Sequence, residues 1–242
     1  MAEDRPLLAV LIDADNVPAK HAAAILTEIS AIGEPALRRV YGDWSSGSLS
    51  GWAKVIPQLG LVARQETANT TQKNASDIGL VIDAMDILHG GKFDGFVLVS
   101  SDSDFTALGN RLREDGLDVI GIGEAKTPQS LRNVCNRFIL IENIIAPAAA
   151  DTASEAKTRT DDKAKPRPKP AEALPLFREA FQKIDNSDDW YQLGGVGSMI
   201  LSAHPDFDPR TYGHGKLSSL VEAIKTIETK KTGNILLIRP KP

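Results

Sequence analysis

Unbroken apolar runs alternate with helical patterning over the first 145 residues of this chain. Residues 7–12 are Leu-Leu-Ala-Val-Leu-Ile, with no polar position until Asp13. A run this short and continuous reads as a strand buried on both faces. Pro18 suits the first turn of a helix, which the spacing extends from residue 19 to about residue 32, where Gly33 stops it. Further strands are predicted near 36–41, 61–64, 95–99, 117–122 and 138–141. Helical patterning fills 48–58, the stretch from Asn74 or Ser76 to about Leu88, then 105–114 and 128–135. His89-Gly90-Gly91 closes the second of these. Residues 69–72 read as loop. The alternation predicts a mostly parallel sheet with helices on both faces, a Rossmann-like α/β architecture.

The pattern stops at about residue 145. Residues 146–170 are mainly Ala, Pro, Lys, Thr and Asp, with almost no large apolar side chain. Lys165-Pro-Arg-Pro-Lys-Pro170 favours an extended, semi-rigid chain, so this stretch reads as a linker. Its basic residues suit a solvated tether better than a phosphate site. Order returns over 171–242. Leu174, Phe177, Phe181 and Ile184 recur at helical spacing, and Trp190-Tyr-Gln-Leu193 is short and strand-like. Residues 195–203 and 216–224 are helical, and 226–228 with 235–239 form a hairpin about Thr232-Gly233-Asn234. Three helices and a hairpin describe a small winged-helix α+β domain. The expected organisation is 1–145, a linker over 146–170, and 171–242.

Charge changes this picture. The net charge of −4 does not by itself suggest a nucleic-acid partner. Residues 1–145, however, carry 13 Lys and Arg against 19 Asp and Glu, while the remainder carries 15 against 13. The front is acidic and the tail mildly basic. The single cysteine, Cys135, cannot form an internal disulfide and reads as a buried, inert thiol. No apolar run reaches the ~18–20 residues of a membrane span. The polar, acidic start is unlike a secretory signal. A soluble cytoplasmic protein without a membrane partner is expected.

The acids fall where a doubly wound sheet gathers them. Asp13 ends one strand, and Asp102 and Asp104 follow another. Ligands in such sheets sit beyond the carboxyl ends of the strands. Asp77 opens a helix whose start lies at the same edge. Converging carboxylates repel and are costly to desolvate, and a divalent cation relieves both. Mg2+ and Mn2+ prefer such oxygen donors. Asn16 is placed to orient a ligand or substrate, Lys73 to balance the acids or meet a phosphate, and Ser101 and Ser103 to donate hydrogen bonds. Plainer roles compete. Asp13 could be a strand-end cap, Asp15 an Asx-turn and Asp104 a cap for the following helix. Asp77 could simply favour a helix dipole. Asp83 reads as a surface or supporting residue, and Asp86 as exposed. The four histidines show no zinc-ligand spacing.

Asp13-Ala-Asp15-Asn16-Val17 also fits the signature of haloacid-dehalogenase-type phosphatases, where the first Asp attacks phosphorus. That chemistry needs a Ser/Thr, then a Lys, then late acids. Here Lys73 precedes Ser100, and the strand near 117–122 runs into Gly123-Glu124 without an acidic pair. The order argues against it.

At Leu11-Ile-Asp-Ala-Asp-Asn16, Lys73-Asn-Ala-Ser-Asp77 through Asp86, and Phe96-Val-Leu-Val-Ser-Ser-Asp-Ser-Asp-Phe105, the chain resembles the NYN family of PIN-like nucleases, the LabA-like branch in particular. The resemblance spans about residues 6–145. It implies a PIN-like parallel sheet and Mg2+- or Mn2+-dependent RNA cleavage. The metal-binding acids it implies are Asp13, Asp77 and Asp102, with Asp104 as a fourth. The tail resembles an OST-HTH (LOTUS) domain at Trp190-Tyr-Gln-Leu-Gly194, Pro205-Asp-Phe-Asp-Pro-Arg-Thr-Tyr-Gly213 and Lys216-Leu-Ser-Ser-Leu220. This implies RNA binding, of G-rich or structured RNA, with a protein partner as a further use of the domain. Arg210, Tyr212, His214 and Lys216 surround a predicted helix start, which favours phosphate. Tyr212 could stack on a base or pack in the core; Trp190 reads as core. A homodimer is compatible with this scheme. The rival is a non-catalytic RNA- or protein-binding regulator with a relict site.

Overall fold

A computed structural model describes residues 5–45, 47–65, 75–145, 167–185 and 189–241. The chain divides into two compact units, Met1–Ile145 and Ala146–Pro242.

The first unit is built on a parallel six-stranded sheet. Its strands are β1 (Leu7–Asp13), β2 (Glu34–Gly42), β3 (Val62–Gln65), β4 (Gly95–Val99), β5 (Asp118–Gly123) and β6 (Arg137–Leu140). They lie in the order β3-β2-β1-β4-β5-β6. β1 is central, which is why its apolar run is unbroken: Leu8 to Asp13 are all buried. Alternate residues serve opposite faces. Leu8, Val10 and Ile12 pack with α1 (Ala22–Ile32) and α2 (Ser50–Gln58). Ala9 and Leu11 pack with α3 (Ala75–His89), α4 (Thr106–Glu114) and α5 (Gln129–Val134). A short helix, α6 (Ile141–Ile145), follows β6 where the sequence pattern had let the strand run on. Cys135 is buried, and desolvation pushes its thiol up to about 12, so it behaves as a small apolar side chain. Gly123 is dictated by contact: a Cβ there would sit 2.6 Å from the Ser100 carbonyl oxygen.

The second unit holds α7 (Leu174–Lys183), α8 (Leu193–Ala203), α9 (Leu217–Ala223) and the strands β7 (Tyr191–Gln192), β8 (Ile227–Thr232) and β9 (Ile235–Pro240). The strands form an antiparallel sheet in the order β7-β9-β8. Phe177, Phe181, Val196, Ile200, Leu220 and Ile238 make its core. The predicted helices and hairpin are present. Gly233, at φ 60°, permits the hairpin turn that joins β8 to β9 in a register longer than the sequence suggested. Among the described residues, no helix is long and apolar enough to cross a membrane.

Candidate active site

β1 and β4 are neighbours, but the helices that leave them cover opposite faces, α1 one and α4 the other. Their carboxyl ends therefore border a crevice, the usual ligand position in an open α/β sheet. Asp13 ends β1, Ser100 and Asp102 follow β4, and Asp77 lies in the first turn of α3.

Asp13 is 1% exposed and accepts four hydrogen bonds. Its Oδ1 accepts from the backbone N–H groups of Asp15 at 3.1 Å and Asn16 at 3.3 Å. Its Oδ2 accepts from Asn16 Nδ2 at 2.6 Å and Ser100 Oγ at 2.8 Å. Those bonds fill about the four acceptor positions of a carboxylate. Burial raises the Asp13 pKa, and the Asn16 and Ser100 bonds partly counter it. Asn16 thus folds onto Asp13, locking the loop after β1.

Ser100 links the two central strands. Besides donating to Asp13, its hydroxyl accepts from the Asp102 N–H at 3.1 Å. Patterning singled out Ser101 instead, but that buried hydroxyl accepts from the Glu124 N–H at 2.9 Å and ties the loop after β4 to the one after β5. Ser100 is the first polar residue after the β4 apolar run, the same cue that marks Asp13 after β1. Asp102 Oδ1 accepts from the Asp104 N–H at 2.9 Å, capping a 3-10 turn (Ser103–Phe105) that leads into α4. The capping role weighed as the plainer alternative for Asp104 falls to Asp102, and Asp104 is exposed. Asp15 makes no turn of its own: its Oδ2 accepts from Ser76 Oγ at 3.0 Å, fastening the start of α3 to the loop after β1.

Asp77 is where these charges meet. Burial first, then the fields of Asp13, Asp102, Asp15 and Asp104, raise it to about 6. Yet among the described residues no three His, Cys, Asp or Glu side chains are drawn together as a ready metal cage. Lys73 lies outside the described residues. Asp83, two turns along α3, is not part of the crevice. It bonds Arg39 of β2, accepts from the Tyr41 hydroxyl at 2.5 Å and faces Arg64 of β3 at 3.5 Å. Desolvation is the largest influence on Asp83, but the Tyr41 bond and the two arginines outweigh it and hold the pKa low.

In the second unit, Arg210 clasps the buried Asp208, with Nε 3.1 and 2.9 Å from its two oxygens and Nη2 at 2.7 Å. Tyr212 is half-buried, its ring 6.3 Å from that of Phe207. His214 is half-buried, and Lys216, just before α9, is exposed. Trp190 is half-buried rather than core, with the Arg239 guanidinium 4.6 Å and the Lys230 ammonium 5.7 Å from its ring centroid.

The model of the NYN domain matches residues 7–142, and that of the OST-HTH/LOTUS domain matches residues 168–238. Among solved structures, a protein of unknown function from Vibrio parahaemolyticus is 18% identical. The match covers 60% of this chain and 98% of that one, with a TM-score of 0.51, and so shares the fold. MurG from Acinetobacter baumannii is 9% identical, over 90% of this chain and 70% of that one, and its TM-score of 0.38 carries no argument. No curated protein matches the chain. A PIN-like nuclease domain joined to an OST-HTH domain indicates an RNA-related role, in cleavage or binding.

Proposed function

The chain belongs to the NYN family, and from that premise we propose a metal-dependent ribonuclease that cleaves RNA phosphodiesters at the β1–β4 crevice. The observation that carries this reading is the convergence of Asp13, Asp77, Asp102, Asp104 and Asp15, felt at Asp77 as a pKa near 6. Oxygen-only, anionic donors suit Mg2+ or Mn2+. Such ions are held by one or two carboxylates with water and substrate phosphates, so a closed three-acid cage is not required. Bound there, the ion supplies charge neutralisation on the phosphodiester and an activated water.

The chain's own residues divide the remaining work. Asp77 and Asp102 offer oxygens to the ion. Asp13, whose oxygens are taken by protein donors, adds its negative charge to the set and, through Asn16 and Ser100, fixes the two strand ends relative to each other. Asp104 borders the crevice as the fourth acid. Asn16 and Ser101 border the crevice and are each engaged in a protein hydrogen bond, and Lys73 is proposed to meet the substrate phosphate on its sequence position alone. The buried, fully hydrogen-bonded Asp13 is ill suited to attack phosphorus, which weighs against the phosphatase. The OST-HTH unit supplies RNA binding that so acidic a crevice lacks, and tethering raises the local substrate concentration.

Two observations favour a second reading. Asp13 has its acceptor positions filled and no three-acid group is assembled among the described residues. A relict site in an RNA-binding regulator would look the same. Calorimetric titration with Mn2+ separates the two. Binding by wild type that weakens in Asp77→Asn and Asp102→Asn fits the nuclease, and heat that is absent in wild type fits the regulator.

A further inference from the structure

The three-stranded sheet of the second unit has an inner and an outer face. Ile238 is fully buried on the inner one. Glu228 pairs with Arg239 and Lys230 with Leu237, so strand alternation sends these four to the outer face. Trp190, beside β7, joins them beneath the two cations described above. Arg239 is held in place by Glu228, Nε to Oε2 at 2.7 Å. A groove of about 700 Å3 opens alongside, with Trp190, Gln192 and Leu237 among its walls.

Resting on the RNA reading above, we propose that this outer face is a single-stranded RNA site, with a base stacking at Trp190 beside the Arg239 guanidinium and Lys230 meeting the flanking phosphate. An aromatic platform with adjoining cations is how single strands are held without sequence readout, because every base offers a flat face. A duplex keeps its bases stacked inside and cannot use the ring. Asp185 and Asp189 also line the groove. They repel phosphate and accept from base amino groups, which puts the RNA backbone on the Lys230 side. The segment before α9 is the weaker candidate. There Arg210 is committed to Asp208, Tyr212 leans on Phe207, and α9 is only seven residues long.

The test is fluorescence anisotropy of a short labelled single-stranded RNA with the full chain, in chelator so that cleavage plays no part. Trp190→Ala weakens binding about 10-fold, and Trp190→Phe recovers most of it. Lys230→Ala, at an exposed position that leaves folding intact, lowers the slope of log affinity against log salt by about 0.7. Duplex RNA of the same sequence binds more weakly. Wild type that binds no RNA overturns the RNA reading and this site with it. Wild type that binds, with an affinity and salt slope that Trp190→Ala and Lys230→Ala leave unchanged, overturns this site alone and leaves the face to a protein partner.

Discussion

Asp77 and Asp13 share a crevice but are held in different ways. Asp13 is satisfied by four donors, whereas Asp77 is surrounded by like charge. Its folded pKa of about 6 lies above the ordinary aspartate value of 3.8, so the native state holds this proton more tightly than the unfolded chain. The metal-free fold is thus penalised as pH rises through that interval. Asp77→Asn should stabilise the metal-free protein at pH above 7 by about 1 kcal/mol and make no difference near pH 4. Thermal melts in chelator at both pH values measure this. Added Mn2+ should reverse the order at the higher pH, stabilising wild type more than the variant. Ser100→Ala tests the link between the strands: it should lower cleavage roughly 10- to 100-fold and the melting temperature by roughly 2–6 °C, because the buried Asp13 carboxylate loses one of its donors.

At the scale of elements, α3 is the part that has to be aimed. Its first turn carries Asp77, Ser76 fastens it to Asp15, and Asp83 fastens it to Arg39 and Tyr41 of β2. Asp83→Ala removes the acid from a half-buried cluster and leaves its cations without a counter-charge. The expected cost is about 2–3 kcal/mol in urea denaturation, with amide exchange in α3 faster than elsewhere in the sheet. The strands around the crevice were legible in the sequence because β1 and β4 are buried on both faces, and burial writes an unbroken apolar run. The turns at their ends were less legible. Asp102 and Asp104 are both good caps, and their shared neighbourhood does not say which of them caps the turn leading into α4. The Asp83 cluster was not legible, because Arg39 and Tyr41 lie 44 and 42 residues away and nothing local marks them. Trp190 misled for a related reason. Aromatic residues in short strands are usually core, and only the register of β8 and β9 shows it on the outer face.

At the scale of the molecule, an acidic unit that would hold a cation is joined to one with a basic sheet face. The chemistry of each calls for the other: the crevice repels RNA when it holds no metal, and the sheet face has no means to cut. Truncation before residue 168 should therefore raise KM for RNA at least 10-fold while leaving kcat within about 3-fold, by loss of effective concentration. Steady-state cleavage of one RNA by the two forms measures it. The central claim is that the crevice cuts RNA through its acids. Its most direct test is cleavage of labelled RNA in Mn2+ by wild type and by Asp13→Asn, resolved on a denaturing gel. The account predicts products from wild type that disappear in chelator and fall at least 100-fold in the variant. Equal cleavage by both proteins would contradict it.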